Sequence, residues 1–160
     1  MARQSVAVFD LDGTLADTRH RLRYLDTRPK NWDAFFDAAK LDAPLPKGVA
    51  LALASAEEHE IAYVTGRPER CRRDTEAWIA EHGLPTGRVW MRGSQDRRPA
   101  KTAKLELLRR LAKKQDVALV VDDDALVCDA YRKAGFTVVQ ADWMPASPVL
   151  SEAQDAEGRT

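Results

Sequence analysis

The stretch VAVFDLDGT, residues 6–14, constrains the fold most, because an apolar run leads directly into two acids. Short apolar runs containing β-branched residues are typical of buried strands. Asp10 and Asp12 follow this run, one residue apart. Burying carboxylates is costly unless they are paired or bind a metal. The sequence therefore predicts a buried strand that ends where a cation and an anionic ligand meet.

The size and composition of the chain favour one globular domain. Its 160 residues suffice for a full hydrophobic core, and 44% of them are hydrophobic and 31% charged. No apolar run approaches the roughly 20 residues of a membrane-spanning helix. The first residues, MARQSVAVFDLDG, lack a signal-peptide cleavage pattern, so we expect a cytoplasmic protein without membrane association. Cys71 and Cys128 belong to no CxxC pattern, which predicts free thiols.

Apolar runs alternate with helix-forming segments along the chain. The predicted strands cover residues 5–9, 61–65, 88–91, 117–121 and 136–140, and the predicted helices cover 47–60, 68–82, 100–114 and 124–134. This alternation predicts an α/β fold, in which a Rossmann-like parallel sheet lies between two layers of helices.

Two segments lie outside the alternation. Residues 16–46 contain several prolines and predict a small cap inserted after the first strand. Within this cap, Trp32, Phe35 and Phe36 have helical spacing and are interpreted as its core rather than as a base-stacking surface. Residues 146–160 are polar and are expected to form a poorly ordered tail after a domain of residues 1–145.

Polar clusters follow three of the predicted strands. They are Asp10 to Thr14, then Thr65-Gly66-Arg67, then the acids at 122–124. Because parallel strands bring their carboxyl ends to one edge of a sheet, we expect these clusters to converge. Asp10 and the later acids are oxygen ligands suited to Mg²⁺.

An anion could bind beside these acids. Thr65 and the backbone amides of residues 65–67, including Gly66, offer hydrogen bonds to an anion at the start of a helix. Lys101 or Lys104 supplies a positive charge nearby. Asp124 is interpreted as a helix cap, and none of His20, His59 and His82 has a partner at metal-ligand spacing.

The ordered set DLDGT, TGR, lysine and DDD resembles the motifs of the haloacid-dehalogenase (HAD) superfamily of phosphotransferases, over residues 6 to about 140. This resemblance implies a HAD-like fold in which Asp10 is the nucleophile. Asp12 would act as general acid and base, starting protonated, and its backbone carbonyl would bind Mg²⁺. Attack by a carboxylate splits hydrolysis into phosphoryl transfer and release by water.

The same resemblance assigns the remaining site residues. Thr65 would hold the phosphoryl oxygens, and Lys104 would balance their charge. Asp122 or Asp123 would complete the metal site, where the cation screens the repulsion between nucleophile and phosphate.

A narrower resemblance links the chain to the 3′-phosphatase domain of phage-type polynucleotide kinase-phosphatases and related stand-alone phosphatases. It rests on DGTLADTRHRL, NWDAFFDAA with a following DAP, TGRPE, TEAWIAEHGLP, VWMRG and DRRPAKTAK. It implies that Arg21 and Arg67 bind the substrate phosphate. Those relatives carry an acid where Ala100 stands, four residues before Lys104, and often an arginine at the position of Asp124. No GxxxxGK[ST] pattern occurs, so no P-loop kinase is predicted in this chain.

The charge distribution bears on the substrate. Residues 66–114 contain 14 Lys and Arg against 6 Asp and Glu, within a chain whose net charge is zero. Such an excess attracts polyanions. The arginines either line a nucleic-acid path or form a solvated surface; they are residues 70, 72, 73, 88, 92, 97 and 98.

The sequence therefore predicts a Mg²⁺-dependent phosphomonoesterase that forms an aspartyl-phosphate on Asp10. The predicted substrate is the terminal 3′-phosphate of a nucleic acid, and the alternative is a nucleotide or another small phosphate ester. A non-catalytic nucleic-acid binder and a receiver-like signalling domain are less favoured. A receiver would need a phosphate-accepting aspartate where Thr65 stands.

Overall fold

The computed structural model describes residues 4–160. In chain order its elements are β1 (Val6–Phe9), β2 (Ala16–Asp17), α1 (Trp32–Asp37), β3 (Ala43–Pro44), α2 (Pro46–Ser55), β4 (Glu60–Pro68), α3 (Arg72–Glu81), β5 (Gly87–Arg92), α4 (Ala100–Ala112), β6 (Val117–Asp122), α5 (Ala125–Lys133), β7 (Val138–Gln140) and α6 (Pro148–Ala156). Short 3₁₀ helices occupy Arg19–Leu25, Ala38–Leu41 and Glu69–Cys71. No helix in this described part is both long enough and apolar enough to cross a membrane.

Five strands form one parallel sheet in the order β5-β4-β1-β6-β7. The chain first builds outward from β1 to β4 and β5, then crosses back to place β6 on the other side of β1. Where the direction of winding reverses, the loops beyond the two central strands diverge and leave a crevice. The carboxyl ends of β1 and β6 therefore flank the ligand-binding position of this fold.

Helices cover both faces of the sheet, which confirms the predicted α/β fold class. Side chains alternate along β1, so Ala7 and Phe9 contact the layer of α2 and α3 through residues such as Trp78. Val6 and Val8 contact the layer of α4 and α5 through residues such as Leu108.

The segment between β1 and α2 forms a small cap closed at its base. β2 and β3 pair antiparallel, with Ala16 opposite Pro44, so the segment leaves and rejoins the sheet edge at one place. Trp32, Phe35 and Phe36 are buried against one another with ring centroids 5.4–5.8 Å apart. Their interpretation as the core of the cap is confirmed.

The end of the chain differs from the expected poorly ordered tail. Residues 148–156 form α6, which begins at Ser147, whose side chain accepts a hydrogen bond from the Leu150 amide. Leu150 and Ala153 are buried against the aromatic cluster of the cap. Leu150 and Ala153, with the partly buried Val149, suffice for this helix because the cap supplies the rest of the apolar surface.

Two helix boundaries also differ from prediction. The helix expected from residue 68 begins at Arg72, because Pro68 pairs with Arg92 and extends β4. The helix expected over 47–60 ends at Ser55, since β4 begins at Glu60.

Leu108 on α4 tests the packing of one helical layer. Its side chain is 0% exposed, so replacement by alanine removes buried methyl groups and leaves a cavity. We expect Leu108→Ala to lower the free energy of unfolding by about 2–5 kcal/mol, measured by urea denaturation. Leu53→Ala on α2, 48% exposed, is the matched control and should change it by less than about 0.5 kcal/mol. Equal effects of the two substitutions would contradict the described layer.

Candidate active site

Two buried carboxylates face each other across the crevice between β1 and β6. Asp10 directly follows β1 and is 3% exposed, and Asp122 ends β6 and is 1% exposed. The Lys104 ammonium lies between them, with Nζ 3.0 Å from Asp10 Oδ1 and 2.8 Å from Asp122 Oδ2. Lys101 lies one turn earlier on α4 and is exposed. The structure thus brings Lys104, and not Lys101, to the acids.

Asp123 completes a group of three acids. One carboxylate oxygen from each of Asp10, Asp122 and Asp123 lies within 4.8 Å of the others. Gly13 allows this approach: its φ is +81°, and a Cβ there would lie 2.1 Å from Asp123 Oδ2. Both candidates for the last metal-site acid therefore belong to the group. Oxygen donors in this number and spacing fit a hard divalent cation such as Mg²⁺.

The carboxylate of Asp12 points away from that group and toward two buried arginines. Arg21 Nη2 donates to Asp12 Oδ1 at 2.8 Å, and Arg67 Nη2 donates to the same oxygen at 2.6 Å. Arg67 Nε adds contacts of 3.1 and 3.3 Å to the two oxygens. The predicted phosphate ligands Arg21 and Arg67 are thus both positioned by Asp12.

Asp42 is a site residue that the sequence reasoning missed. Its carboxylate is buried and accepts hydrogen bonds from Arg21 Nε and Nη2, each at 2.9 Å. Its Oδ1 also lies 2.6 Å from His20 Nε2, and its backbone carbonyl accepts a bond from the Trp78 indole at 2.9 Å. A buried charge is costly unless it is paired, but the sequence reasoning did not assign Asp42 as the partner of Arg21.

The Thr65-Gly66-Arg67 cluster lies on the same edge, at the end of β4. The Thr65 hydroxyl is buried and accepts a hydrogen bond from the Arg67 amide at 3.1 Å. Beneath the turn, Arg92 Nε donates to the Gly66 carbonyl at 3.0 Å, and its Nη1 donates to the Gly158 carbonyl at 2.7 Å. Gly66 packs directly on Thr160, so the end of the described chain supports this turn.

The electrostatics divide the site into two halves. Burial and the charge of Asp122 raise the pKa of Asp10 well above its usual value, although Lys104 opposes this. Burial also raises the pKa of Asp12, but Arg67 and Arg21 outweigh it and hold that pKa well below the usual range. Asp10 thus lies among acids that a cation would stabilise, whereas Asp12 is already compensated.

Asp12 differs here from the protonated general acid expected for the first step. Its two arginine partners stabilise the carboxylate form. This is the form that accepts a proton from water. Asp124 caps α5 as predicted, because its side chain accepts hydrogen bonds from the Leu126 and Val127 amides.

The match to a known family decides what kind of protein carries this site. The model of the polynucleotide kinase PNKP phosphatase domain matches residues 4–143. The chain belongs to this family. It is therefore a phosphatase of the HAD superfamily, as the motifs predicted. None of the curated proteins compared with it matches.

Solved structures share the fold at low sequence identity. A chain of the Pnkp1/Rnl/Hen1 RNA repair complex matches with a TM-score of 0.75 and 22% identity over 90% of this chain, which spans only 44% of that one. A haloacid dehalogenase-like hydrolase from Streptococcus pneumoniae gives 0.66 and 13%, over 98% of this chain and 93% of that one. A HAD-hydrolase from Bacillus subtilis, bound to magnesium, gives 0.60 and 12%, over 87% and 89%.

Replacing Asp123 by asparagine tests the electrostatic cost of the acid group. Burial and repulsion by Asp122 raise the pKa of Asp123 to about 7, whereas an unfolded aspartate titrates near pH 4. The folded protein therefore loses stability as pH rises between these two values. With a chelator present, we expect Asp123→Asn to be more stable than wild type by on the order of 1–3 kcal/mol at about pH 8 and equal to it near pH 4.

Urea denaturation across this pH range measures the difference. Asp129→Asn, at an exposed position of α5, is the control and should keep the wild-type dependence of stability on pH. Adding MgCl₂ should stabilise wild type more than Asp123→Asn, because a bound ion adds stability by mass action. A destabilised Asp123→Asn variant at high pH in the chelator would contradict the described electrostatics.

Proposed function

We propose that this phosphatase is a Mg²⁺-dependent phosphomonoesterase that removes the 3′-terminal phosphate of a polynucleotide through an aspartyl-phosphate on Asp10. One observation carries the chemistry: the Asp10 carboxylate lies in the crevice of the fold, grouped with Asp122 and Asp123 and in contact with the buried ammonium of Lys104. The family match supports the substrate, because its description names a polynucleotide kinase phosphatase domain. The positive excess of residues 66–114 supports a polyanion.

Asp10 is the proposed nucleophile. Lys104 Nζ donates to its Oδ1 at 3.0 Å, and the Thr14 hydroxyl donates to its Oδ2 over a longer 3.4 Å contact. We assign the attack to Oδ2, which forms a bond to phosphorus while the bond from phosphorus to the leaving oxygen breaks. Water then attacks the same phosphorus, and the bond to Oδ2 breaks to restore the carboxylate.

The acid group is the proposed Mg²⁺ site. Asp10, Asp122 and Asp123 would hold the ion with their carboxylates, and Asp12 with its backbone carbonyl, as the superfamily resemblance implies. When bound, the ion screens the repulsion between Asp10 and the phosphate and stabilises the charge of the transition state. A magnesium-bound structural neighbour of this fold supports the choice of metal.

The opposite side of the crevice is the proposed phosphate site. Thr65, the amides of Gly66 and Arg67, and the ammonium of Lys104 would contact the phosphoryl oxygens. Arg21 and Arg67 now donate to Asp12 and Asp42, so binding a phosphate requires them to share or exchange these partners. Asp42 keeps Arg21 oriented during such an exchange, because it accepts from both Nε and Nη2.

Asp12 is the proposed proton carrier. It gives a proton to the leaving oxygen in the first step and takes one from the attacking water in the second. When Arg21 and Arg67 turn their hydrogen bonds from Asp12 to the phosphate, protonation of the Asp12 carboxylate becomes less costly. Binding of the phosphate to the two arginines thereby favours the protonated form of Asp12, which the first step needs.

A nucleotide or other small phosphate ester is the second candidate substrate. The buried Ala100 stands where the 3′-phosphatase relatives carry an acid, four residues before Lys104. The site therefore lacks one acidic side chain of the motif on which the likeness to polynucleotide 3′-phosphatases rests, and this favours the second candidate.

Asp10→Asn tests the nucleophile. An amide oxygen is too poor a nucleophile to form the intermediate, so we expect phosphate release to fall by at least about 10³-fold. Circular dichroism and thermal unfolding should show a folded variant. Asp26→Asn, in an exposed turn, is the control and should keep wild-type activity. Substantial Mg²⁺-dependent turnover by Asp10→Asn would refute the assignment.

A comparison of substrates tests the polynucleotide proposal. We expect the highest kcat/KM with a 3′-phosphorylated oligonucleotide and lower values with free 3′- and 5′-nucleotides, because the longer substrate makes additional contacts with basic groups. Phosphate release at several Mg²⁺ concentrations measures this. Equal or higher kcat/KM with a free nucleotide would favour the second candidate.

A further inference from the structure

The surface of α4 that faces away from the sheet carries a groove outside the proposed active site. The groove has a volume of about 620 Å³, and Ala130 of α5 forms part of its wall. Two ridges of α4, each with a spacing of four residues, line it. The first consists of Lys101, Leu105 and Arg109 with the C-cap residue Lys113, and the second consists of Thr102, Glu106 and Arg110 with Arg98, which precedes the helix.

The groove is strongly cationic. Five of its lining residues are Lys or Arg, and Glu106 is its single acid. Glu106 accepts hydrogen bonds from Arg98 and Arg110 and so holds both guanidinium groups in place. Lys101 and Arg109 are exposed and form no ion pair with any residue from 4 to 160. Their charges are therefore available to an anionic ligand.

Several arginines that the sequence offered for a nucleic-acid path have other partners. Arg92 is buried and donates to backbone carbonyls. Arg72 pairs with Glu69 at 2.8 Å, and Arg88 stacks on Trp90 with its guanidinium carbon 3.8 Å from the ring centroid. Five of the 14 Lys and Arg of residues 66–114, by contrast, line this one groove.

Helix α4 connects the groove to the active-site edge. α4 begins at that edge, and Lys101 lies one turn before Lys104, which contacts Asp10. From Lys101 to Lys113 the helix rises about 18 Å. This length matches about five phosphate spacings of a stacked nucleic-acid strand.

We propose that this groove binds the phosphodiester backbone of a single strand whose 3′ end lies in the active site. The inference rests on the proposed function and adds the path of the substrate. A strand is the occupant that charge complementarity favours, since its phosphates repeat at a regular spacing and the groove carries five Lys or Arg side chains against one acid. Leu105 and the stems of the long side chains form an apolar floor between the charges.

The double variant Lys101→Ala/Arg109→Ala tests this path. Its matched control is Arg132→Ala/Lys133→Ala, which removes the same charge from exposed positions of α5 outside the groove. Fluorescence anisotropy with 3′-hydroxyl oligonucleotides of about 12 and about 3 nucleotides measures binding without turnover at several salt concentrations. Thermal unfolding verifies that both variants fold.

We expect the groove variant to bind the longer strand at least fivefold more weakly, and the slope of log K against log salt to fall by about 1.4 for two lost phosphate contacts. Binding of the short strand should not change. With 3′-phosphorylated substrates, the groove variant should raise KM for the long strand at unchanged kcat and leave a 3′-mononucleotide unaffected. The control variant should behave as wild type in every assay.

The outcomes separate this inference from the proposed function. If wild type hydrolyses 3′-phosphorylated strands but both double variants bind them equally well, the groove is not the path, even if it binds an acidic protein instead. If wild type releases no phosphate from 3′ ends while only the groove variant loses binding of the long strand, the proposed substrate is wrong and the groove stands as a nucleic-acid surface.

Discussion

The buried contact of Lys104 with Asp10 and Asp122 is the interaction on which the rest of the site depends. Two carboxylates at the ends of adjacent central strands repel each other and lose their hydration, so without compensation they would oppose the pairing of β1 with β6. Burial disfavours the ammonium form of Lys104, but the two carboxylates outweigh it and raise its pKa well above the usual value. One cation thus permits the fold to keep two acids at the ends of adjacent central strands.

Much of the fold was predictable because its signals are local. Val6 to Phe9 are apolar on both faces of a strand, and turn residues and acids follow at the point where the sheet ends. Parallel pairing then brings Asp10, Thr65 and Asp122 to one edge without further information. The cap was predictable as an insertion for the same reason, since its prolines interrupt the alternation.

The features that could not be predicted depend on contacts between distant segments. α6 has little apolar surface of its own. Leu150 is buried because α6 packs against the aromatic cluster of the cap, which its local sequence does not indicate. Asp42 is likewise indistinguishable from a turn residue in the sequence, and only the fold shows that it accepts a hydrogen bond from Arg21. The side-chain direction of Asp12 is a further case: spacing places it next to Asp10, but the two arginines decide that it points away from the acid group.

Arg92, at the end of β5, connects distant segments of the chain. Its guanidinium group binds carbonyl oxygens of Gly66, Arg98 and Gly158, which come from three separate parts of the chain. Among residues 4–160 the nearest side-chain carboxylate oxygen, Asp96 Oδ1, lies 3.9 Å from its Nη1, so carbonyl dipoles supply most of its compensation. The shape of the Thr65-Gly66-Arg67 turn therefore depends on peptide groups far from it in sequence. Substitutions around Gly158 are therefore constrained by the need to keep the shape of this turn, although these residues take no part in the chemistry of the site.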